Sequence, residues 1–387
     1  MFIAIQIVFW ICAFFIFWAM VGYPVSLKIL SKLFGKRELK KDYSHLPTVT
    51  VMVVAYNEEK VIREKLENIC ELDYPRDKIS FLISSDNSTD ATNEITEEFI
   101  KSHPEVDMRL FCVKERKGKT NAQNEAQREV TTEFLVMTDA NAMLEKNSVK
   151  ELMAAFTSED ISYVTGRLTY VNPGDSLTAR SEAGYWNRDL KMREIESSIQ
   201  TITAGNGALY ACRNAEYIYL NPMRCHDGNM PMHYAIQGKR AIYNKDAVAY
   251  EKAGEVDEDE YKRKVRMRRG LIRSILPDIR ILNVFRCKWY SYFYFGHRTC
   301  RYLLWINHLL VYVLNALLIF HPLYFVLFAL QNLFYLCALI QFIFKTKNRF
   351  LRMIFYYCMT VVAQWNGVFN ILTGRAKPFW EKAETTR

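Results

Sequence analysis

The stretch Phe134-Leu-Val-Met-Thr-Asp-Ala-Asn141 is an apolar run that ends in an acidic residue and an amide. A short buried strand with this ending places the oxygens of Asp139 and Asn141 at the carboxyl edge of a sheet, where open α/β sheets bind their ligands. Oxygen ligands suit Mg²⁺ or Mn²⁺ carrying a phosphate. Asp-x-Asn after a strand is also typical of a turn or a helix N-cap, so its meaning depends on its surroundings.

Three more strands are predicted upstream, at residues 48–54, 79–84 and 110–113, and each is followed by a helical or turn pattern. Strands that alternate with helices predict an α/β fold with a doubly wound, mostly parallel sheet. Right-handed crossovers bring the exit of every strand to the same edge. We therefore expect one rim to collect the polar residues that follow the strands, namely Tyr56, Asn57, Glu58, Asp86, Asp139 and Asn141.

The sequence lacks two common nucleotide-binding signatures. No Gly-x-Gly-x-x-Gly follows the first predicted strand. Lys117-Gly-Lys-Thr120 ends like a P-loop, but Val113 stands where the first glycine is required. The chain is therefore neither a typical dehydrogenase nor a P-loop NTPase.

Long apolar segments predict membrane helices on both sides of a globular domain. Residues 2–25 are nearly uncharged and long enough to span a bilayer, and they lack the basic leading region and cleavage site of a signal peptide. Residues 302–344 are apolar with a break at His321-Pro322, which predicts a hairpin of two spans. The predicted organisation is an N-terminal transmembrane helix (1–30), a globular domain (45–283), an amphipathic interfacial segment (284–301), C-terminal membrane helices (302–373) and a basic tail (374–387).

Charge predicts the orientation of these segments. The chain has 51 Lys and Arg against 42 Asp and Glu, and its basic residues cluster after the first span, which places the globular domain in the cytoplasm. This positive charge suits an anionic membrane surface, and no motif points to nucleic acid. One conflict concerns residues 353–373, because the basic clusters at 345–349 and 375–377 both have a cytoplasmic character. Either residues 353–373 lie along the interface or re-enter, or one basic cluster is misplaced.

Four motifs in order give the sequence a family resemblance. They are Tyr56-Asn-Glu58, Asp86-Asn-Ser-Thr-Asp90, Lys117-Gly-Lys-Thr-Asn-Ala-Gln-Asn124 and Asp139-Ala-Asn141. Together they resemble the motifs of family 2 glycosyltransferases with a GT-A fold, over about residues 48–300 and with flanking membrane helices. The resemblance implies that Tyr56, Glu58 and Asp86 hold the nucleoside of a UDP-sugar and that Lys119 approaches its phosphates.

The resemblance also implies a metal cofactor, Mg²⁺ or Mn²⁺, held on the donor diphosphate. Asp139 and Asn141 would be its ligands. Asn141 replaces the second aspartate of the family's Asp-x-Asp, and a neutral oxygen would bind the metal more weakly or indirectly.

The second half of the domain resembles the family's acceptor side. Gly205 and Gly207 match the glycines beside the donor sugar, although a tight turn would also use them. Asp227 matches the general base, although it could instead cap the following helix. His226 replaces the family's first acidic residue there and could tune Asp227, contact the acceptor, or simply pack.

A basic run at residues 263–269 stands where many relatives carry Gln-x-x-Arg-Trp, a motif that contacts the donor diphosphate and the acceptor sugar. Arg266 keeps the arginine, whereas Arg263 and Met267 replace the glutamine and the tryptophan. Loss of the tryptophan stacking platform argues against processive polymer synthesis. The alternative is a solvated or membrane-facing helix.

The resemblance implies a multi-pass enzyme of the cell membrane, an inverting glycosyltransferase with a cytoplasmic catalytic domain. It would move a sugar from a UDP-sugar to a lipid-linked or growing glycan acceptor in cell-surface or extracellular polysaccharide synthesis. Polysaccharide-assembly proteins are candidate partners. Two alternatives stay open: a processive synthase that also translocates its polymer, and a catalytically inactive scaffold. A transporter is disfavoured because the sequence has no intramembrane ionisable cluster.

Overall fold

The computed structural model describes residues 2–34, 37–172, 174 and 176–379. Its described part contains an eight-stranded sheet. The strands are β1 (Val49–Ala55), β2 (Ile79–Ser85), β3 (Met108–Cys112), β4 (Phe134–Asp139), β5 (Met143–Leu144), β6 (Ile161–Tyr170), β7 (Tyr210–Arg213) and β8 (Arg240–Glu251).

The strands are ordered β3-β2-β1-β4-β7-β6-β8-β5 across the sheet. β1 is parallel to both β2 and β4, and β2 is parallel to β3. β7 is antiparallel to β4 and to β6, so the sheet is mixed rather than wholly parallel. The predicted α/β fold is confirmed, and the parallel half is the part that the strand–helix alternation predicted.

Sixteen α-helices of very different length lie among the described residues, some joined by π-helical or 3₁₀ turns. They are α1 (Phe2–Phe17), α2 (Tyr23–Phe34), α3 (Ile62–Cys70), α4 (Thr92–Ser102), α5 (Lys119–Gln127), α6 (Ser148–Ala154), α7 (Leu177–Ile199), α8 (His226–Ile236), α9 (Asp257–Met267), α10 (Leu271–Ile275), α11 (Val284–Cys287), α12 (Trp289–Phe293), α13 (Cys300–Tyr302), α14 (Leu304–Leu317), α15 (Pro322–Phe344) and α16 (Arg349–Leu372).

Alternating side chains of the central strands pack into two cores, one on each face of the sheet. Val51 and Val53 of β1 pack with α3, α4 and α6. Met52 and Val54 of the same strand pack with α5 and α8 on the other face. Burial of successive residues on opposite faces is why β1 is apolar at every position except Thr50, as expected of a strand covered on both sides.

Two helical segments are long and apolar enough to cross a membrane. They are residues 2–34, where α1 and α2 join through a π-helical turn, and α15. A third is possible by length if the segment 289–302 and α14 count as one span, and these two parts are bent by 59°. α16 contains nearly all of residues 353–373, whose orientation the charge pattern left in conflict. Among the described residues it is not one of the helices that are long and apolar enough to span a membrane.

Both ends of α16 contact the domain that contains the sheet. At its start Arg352 forms an ion pair with Asp257 of α9 and donates a hydrogen bond of 2.9 Å to Thr178 of α7. Beyond its end, Arg269 donates a hydrogen bond of 2.5 Å to the carbonyl oxygen of Pro378. α16 therefore runs along the domain, and whether residues 353–373 cross the membrane stays a prediction from the sequence.

Candidate active site

A cavity of about 620 Å³ opens at the carboxyl edge of β1, β2 and β4. The exits of these parallel strands meet at this edge, so residues distant in sequence face one space. The cavity collects most of the predicted site residues: Tyr56, Glu58, Asp86, Lys119, Asp139, Asn141, Gly205, Gly207, Asp227, Arg263, Arg266 and Met267.

Tyr56, Asp86 and Arg116 form one end of the cavity, here called the nucleoside end. The Arg116 guanidinium lies 3.7 Å from the centre of the Tyr56 ring, with Phe379 at 4.6 Å on another side. Asp86 accepts hydrogen bonds from the backbone N–H of Lys117 (3.1 Å) and Gly118 (2.9 Å). Burial raises the pKa of Asp86, and these two bonds and Arg116 partly oppose the shift.

Lys119 lies between two acidic side chains deeper in the cavity. Its ammonium group forms an ion pair with Asp139 and lies 3.5 Å from the carbonyl oxygen of Gly207. Burial would lower the pKa of Lys119, but the charges of Asp139 and Asp227 outweigh it and raise the pKa above its usual value. The lysine thus stays protonated, with one carboxylate from β4 and one from α8 beside it.

The two predicted glycines serve different physical needs. A Cβ on Gly207 would lie 2.9 Å from Lys119 Nζ and 3.2 Å from Asp139 Oδ2, so this glycine keeps the space between the charged groups open. A Cβ on Gly205 would collide with the Tyr163 hydroxyl, so packing against Tyr163 requires glycine at this position. The expectation of a ligand-facing glycine therefore fits Gly207, and the packed-turn alternative fits Gly205.

A buried chain of polar contacts fixes the position of Asp227. The Gly205 N–H donates a hydrogen bond of 2.8 Å to the Asp227 carbonyl oxygen. Arg193 of α7 donates a hydrogen bond of 2.6 Å to the Gly205 carbonyl oxygen and forms a 2.7 Å ion pair with Asp189. Because Arg193 and Asp189 are both buried, α7 holds the start of α8 rigidly against the cavity.

His226 does not lie in the cavity, which corrects its predicted place on the acceptor side. Its ring is buried, with Nδ1 2.9 Å from Gln123 Oε1 and Nε2 2.9 Å from the Tyr217 hydroxyl. Burial lowers the pKa of His226 to about 3, with a further contribution from Lys119. A neutral histidine with both ring nitrogens bonded has a packing role, which was one of the alternatives.

The basic run on α9 separates into buried and exposed members. Arg263 forms ion pairs with Glu182 of α7 and, at 2.8 Å, with Glu260. Met267 is 54% exposed and faces the cavity where a tryptophan would stack. Arg263 is thus tied into a buried network, while Arg266 and Met267 line open space.

Two residues that line the cavity, Arg116 and Arg193, and one buried behind it, Lys65, escaped the sequence analysis. Arg116 stacks on Tyr56, and Arg193 supports Gly205, as described above. Lys65 of α3 is fully buried beneath β4, where it donates a 3.0 Å hydrogen bond to Thr138 and another to the carbonyl oxygen of Ala142. A lysine in the apolar stripe of an amphipathic helix was the available signal for Lys65, whereas neither arginine lies in a motif.

The sheet order and a ligand-sized cavity at the switch between parallel and antiparallel strands define a GT-A domain. Residues 50–213 match the family model described as "Glycosyl transferase family 2". The chain therefore contains a family 2 glycosyl transferase domain, and the predicted family and fold are confirmed.

Known proteins resemble the chain over different lengths. A mannosyltransferase from Pyrobaculum calidifontis, solved in complex with GDP-Man and Mn²⁺, superposes with a TM-score of 0.73 at 20% identity, covering 96% of this chain and 99% of that one. At this identity the likeness shows the fold. A probable glycosyltransferase of Bacillus subtilis, YdaM, is 30% identical over 143 residues, which are 36% of this chain and 34% of that protein.

A beta-monoglucosyldiacylglycerol synthase of Synechocystis is 26% identical over 214 residues, which are 54% of this chain and 44% of that protein. A poly-beta-1,6-N-acetyl-D-glucosamine synthase of Staphylococcus epidermidis is 28% identical over 134 residues, 34% of this chain and 31% of that protein. The chain thus spans between about a third and less than half of the length of these curated relatives.

Proposed function

We propose that the chain is a membrane-bound, inverting glycosyltransferase that moves a sugar from a nucleotide-sugar to an acceptor hydroxyl. The observation that carries this proposal is the arrangement of Lys119, Asp139 and Asp227 around the open space at Gly207. The ammonium group of Lys119 and a cation held by Asp139 would bind the donor diphosphate. The carboxylate of Asp227, across the space, would act as the base.

The proposed step is a direct displacement. The acceptor oxygen attacks the anomeric carbon while its proton passes to the Asp227 carboxylate. The bond from the anomeric carbon to the diphosphate oxygen breaks, and the electron pair leaves with the diphosphate. Lys119 and Arg266 are proposed to stabilise this departing charge. Attack from the face opposite the leaving group inverts the anomeric centre.

A divalent cation fits the chemistry of Asp139 and Asn141. Both residues line the cavity and offer a carboxylate and an amide oxygen, which are hard ligands of the kind that Mg²⁺ and Mn²⁺ prefer. Among the described residues no group of three His, Cys, Asp or Glu could hold a metal ion, so the donor diphosphate and water would supply the other ligands. Bound there, the cation would neutralise charge on the diphosphate.

The proposed donor is a UDP-sugar, as the sequence motifs imply. The Pyrobaculum calidifontis structure contains GDP-Man, so a guanosine nucleotide is the specific alternative to test. The proposed acceptor is a lipid-linked or growing glycan, in keeping with relatives named as a glycolipid synthase and a polysaccharide synthase. The proposed location is the cell membrane, multi-pass, with a cytoplasmic catalytic domain and with polysaccharide-assembly proteins as candidate partners.

Addition of a single sugar is proposed over processive synthesis, because Met267 offers no aromatic face at the position where a polymer end would stack. Product length distinguishes the two: one added sugar for a single transfer, a ladder for a processive synthase.

The test is release of nucleoside diphosphate by the purified chain in nanodiscs, across UDP- and GDP-sugars with Mg²⁺ or Mn²⁺. Turnover with one donor, lowered at least 100-fold in both Asp227→Asn and Asp139→Ala, is expected. Asp246→Asn, a change on β8 at a carboxylate that pairs with Lys41, is the matched control. Equal turnover by wild type and both site variants would refute the assigned site. Nucleotide binding without turnover of any donor would favour the inactive scaffold.

A further inference from the structure

We propose that a second subsite of the cavity binds the phosphate of a membrane lipid, and that Arg268 and Arg298 hold it. This subsite, here called the membrane end, consists of Arg268, Arg298 and Tyr302, which all line the same cavity as Asp227. The inference rests on the proposed transfer reaction and gives its acceptor a chemical class: a phosphate-bearing lipid.

The membrane end lies where the domain with the sheet meets the apolar helices. Tyr302 ends α13, and α14 begins two residues later at Leu304. Arg268 follows α9 and lies against α16, where a Cβ on Gly367 would be only 2.5 Å from Arg268 Cβ. A lipid with its chains beside α14 would therefore bring its headgroup to these residues.

The two guanidinium groups lie near one aromatic ring, that of Tyr302. Arg268 lies 5.7 Å and Arg298 5.6 Å from the centre of the Tyr302 ring. Within the described part of the chain, neither forms an ion pair with a carboxylate. Arg268 Nε is also buried without a hydrogen-bond partner there. A phosphate oxygen would supply both the missing charge and the missing acceptor.

The neighbouring carboxylate is already engaged. Asp189 forms ion pairs of 2.7 Å with both Arg301 and Arg193. It also lies 2.9 Å from His297 Nε2. Asp189 is therefore in direct contact with other cations, and among the described residues it forms no ion pair with Arg298.

Contact with the ring alone does not balance these charges. A cation–π contact recovers only part of the free energy that is lost when an ion is removed from water. A bound anion would offset that difference. Arginine also matches phosphate geometry, because its planar fork donates two parallel hydrogen bonds.

The membrane end and the donor phosphate site have different charged neighbours. The ionisable groups that act most strongly on Arg298 are Tyr302, Tyr294 and Asp189. Those acting on Lys119 are Asp139, Asp227 and Glu251. The groups that act on Arg298 are thus not those that act on Lys119.

The experiment compares binding of two short-chain lipids to the full chain in neutral detergent by calorimetry. Dioctanoyl phosphatidic acid carries the phosphate, and dioctanoylglycerol is its uncharged counterpart. The wild type is expected to bind the phosphatidic acid at least tenfold more tightly. The double variant Arg268→Gln/Arg298→Gln should lose this preference. The control Arg280→Gln removes an exposed arginine paired with Asp278 and should keep it.

Three results would overturn the proposal. The preference for phosphatidic acid could survive in the double variant, or inorganic phosphate could compete as well as the lipid does. The double variant could also lose UDP or GDP binding to the same extent as it loses lipid binding. The last result would assign both arginines to the donor. Retained nucleotide binding and an unchanged elution volume show that the double variant is folded. Lipid binding can be measured even if the protein turns over no nucleotide-sugar. Failure of the proposed transfer reaction is therefore distinguished from failure of the lipid-binding proposal.

Discussion

The two ends of the cavity are built in opposite ways. Tyr56 and Asp86 of the nucleoside end directly follow β1 and β2, and Asp139, deeper in the cavity, is the last residue of β4. On the helical side of the cavity, Glu182 of α7, Arg263 of α9 and Tyr356 of α16 meet. An ion pair and a hydrogen bond hold them together. One end inherits its geometry from the sheet. The other depends on buried ion pairs between segments far apart in sequence, so a single substitution there should disturb the fold more than the chemistry.

The largest effect is expected from Glu182→Ala, which tests that dependence. Glu182 pairs with Arg263, lies 3.6 Å from Lys264 and accepts a hydrogen bond from Tyr356 of α16. Its loss leaves buried positive charge and should destabilise the protein by about 3–5 kcal/mol. Chemical denaturation in detergent measures this. Glu194→Ala, an exposed change on the same helix, is the control, and equal stability of the two variants would contradict the comparison.

Lys119→Met tests the sheet-built end. Loss of the ammonium group beside Asp139 should lower kcat/KM about 10²- to 10³-fold, because the departing diphosphate loses a positive partner, with little loss of stability. Steady-state turnover and thermal unfolding are measured together. Lys117→Met, which removes an exposed lysine paired with Glu115, is the control. A large drop in stability without loss of turnover would reverse the proposed difference between the two ends.

Lys65 should make stability depend on pH. Burial lowers the pKa of Lys65 from 10.5 to about 7. Below pH 7 the folded and unfolded states both hold the proton, and the cost of the buried charge is present in full. Between pH 7 and 10 only the unfolded state holds it, so stability should rise with pH by up to about 1.4 kcal/mol per pH unit.

Lys65→Met removes this titration and should flatten the pH dependence of unfolding between pH 7 and 9. The exposed lysine variant Lys60→Met should keep the slope of the wild type. Parallel slopes in Lys65→Met and wild type would show that Lys65 does not titrate in this range.

The smallest effect is expected from Gly118→Ala, at the contact between the nucleoside end and the segment after α16. Gly118 has φ of +94°, and a Cβ there would lie 2.5 Å from the Pro378 carbonyl oxygen. Gly238→Ala is the matched control, with φ of +82° and no neighbour within 4 Å. Both changes should cost about 1 kcal/mol through backbone strain.

Only Gly118→Ala should also displace the segment after α16 that contains Pro378. Limited trypsin digestion should then cleave faster after the exposed Arg375. Equal cleavage in the two glycine variants would mean that the contact with Pro378 does not hold the segment.

The sequence predicted that the residues after the parallel strands share one rim, because the physical rule is local. An apolar run followed by a polar residue defines both a strand and its exit, and parallel crossovers bring the exits together. Tyr56, Asp86 and Asp139 could therefore be placed on one rim before any coordinates, whereas Lys119 was named only from the family resemblance. Asp227 and Gly207 also reached the cavity, but only the family resemblance pointed to them, and their roles stay predictions.

By itself the sequence determined the α/β domain and the apolar segments, because periodicity, strand exits and hydropathy are properties of short windows, and the family followed from the resemblance of four ordered motifs. Only the tertiary structure decided that His226 packs away from the cavity, that α16 runs along the domain, and that Arg193 supports the loop beside Asp227. Each of these depends on contacts between residues distant in the chain. The partners of a buried charged group, and therefore the direction of its pKa shift, depend on the segments that fold around it. No short window of the sequence contains those segments.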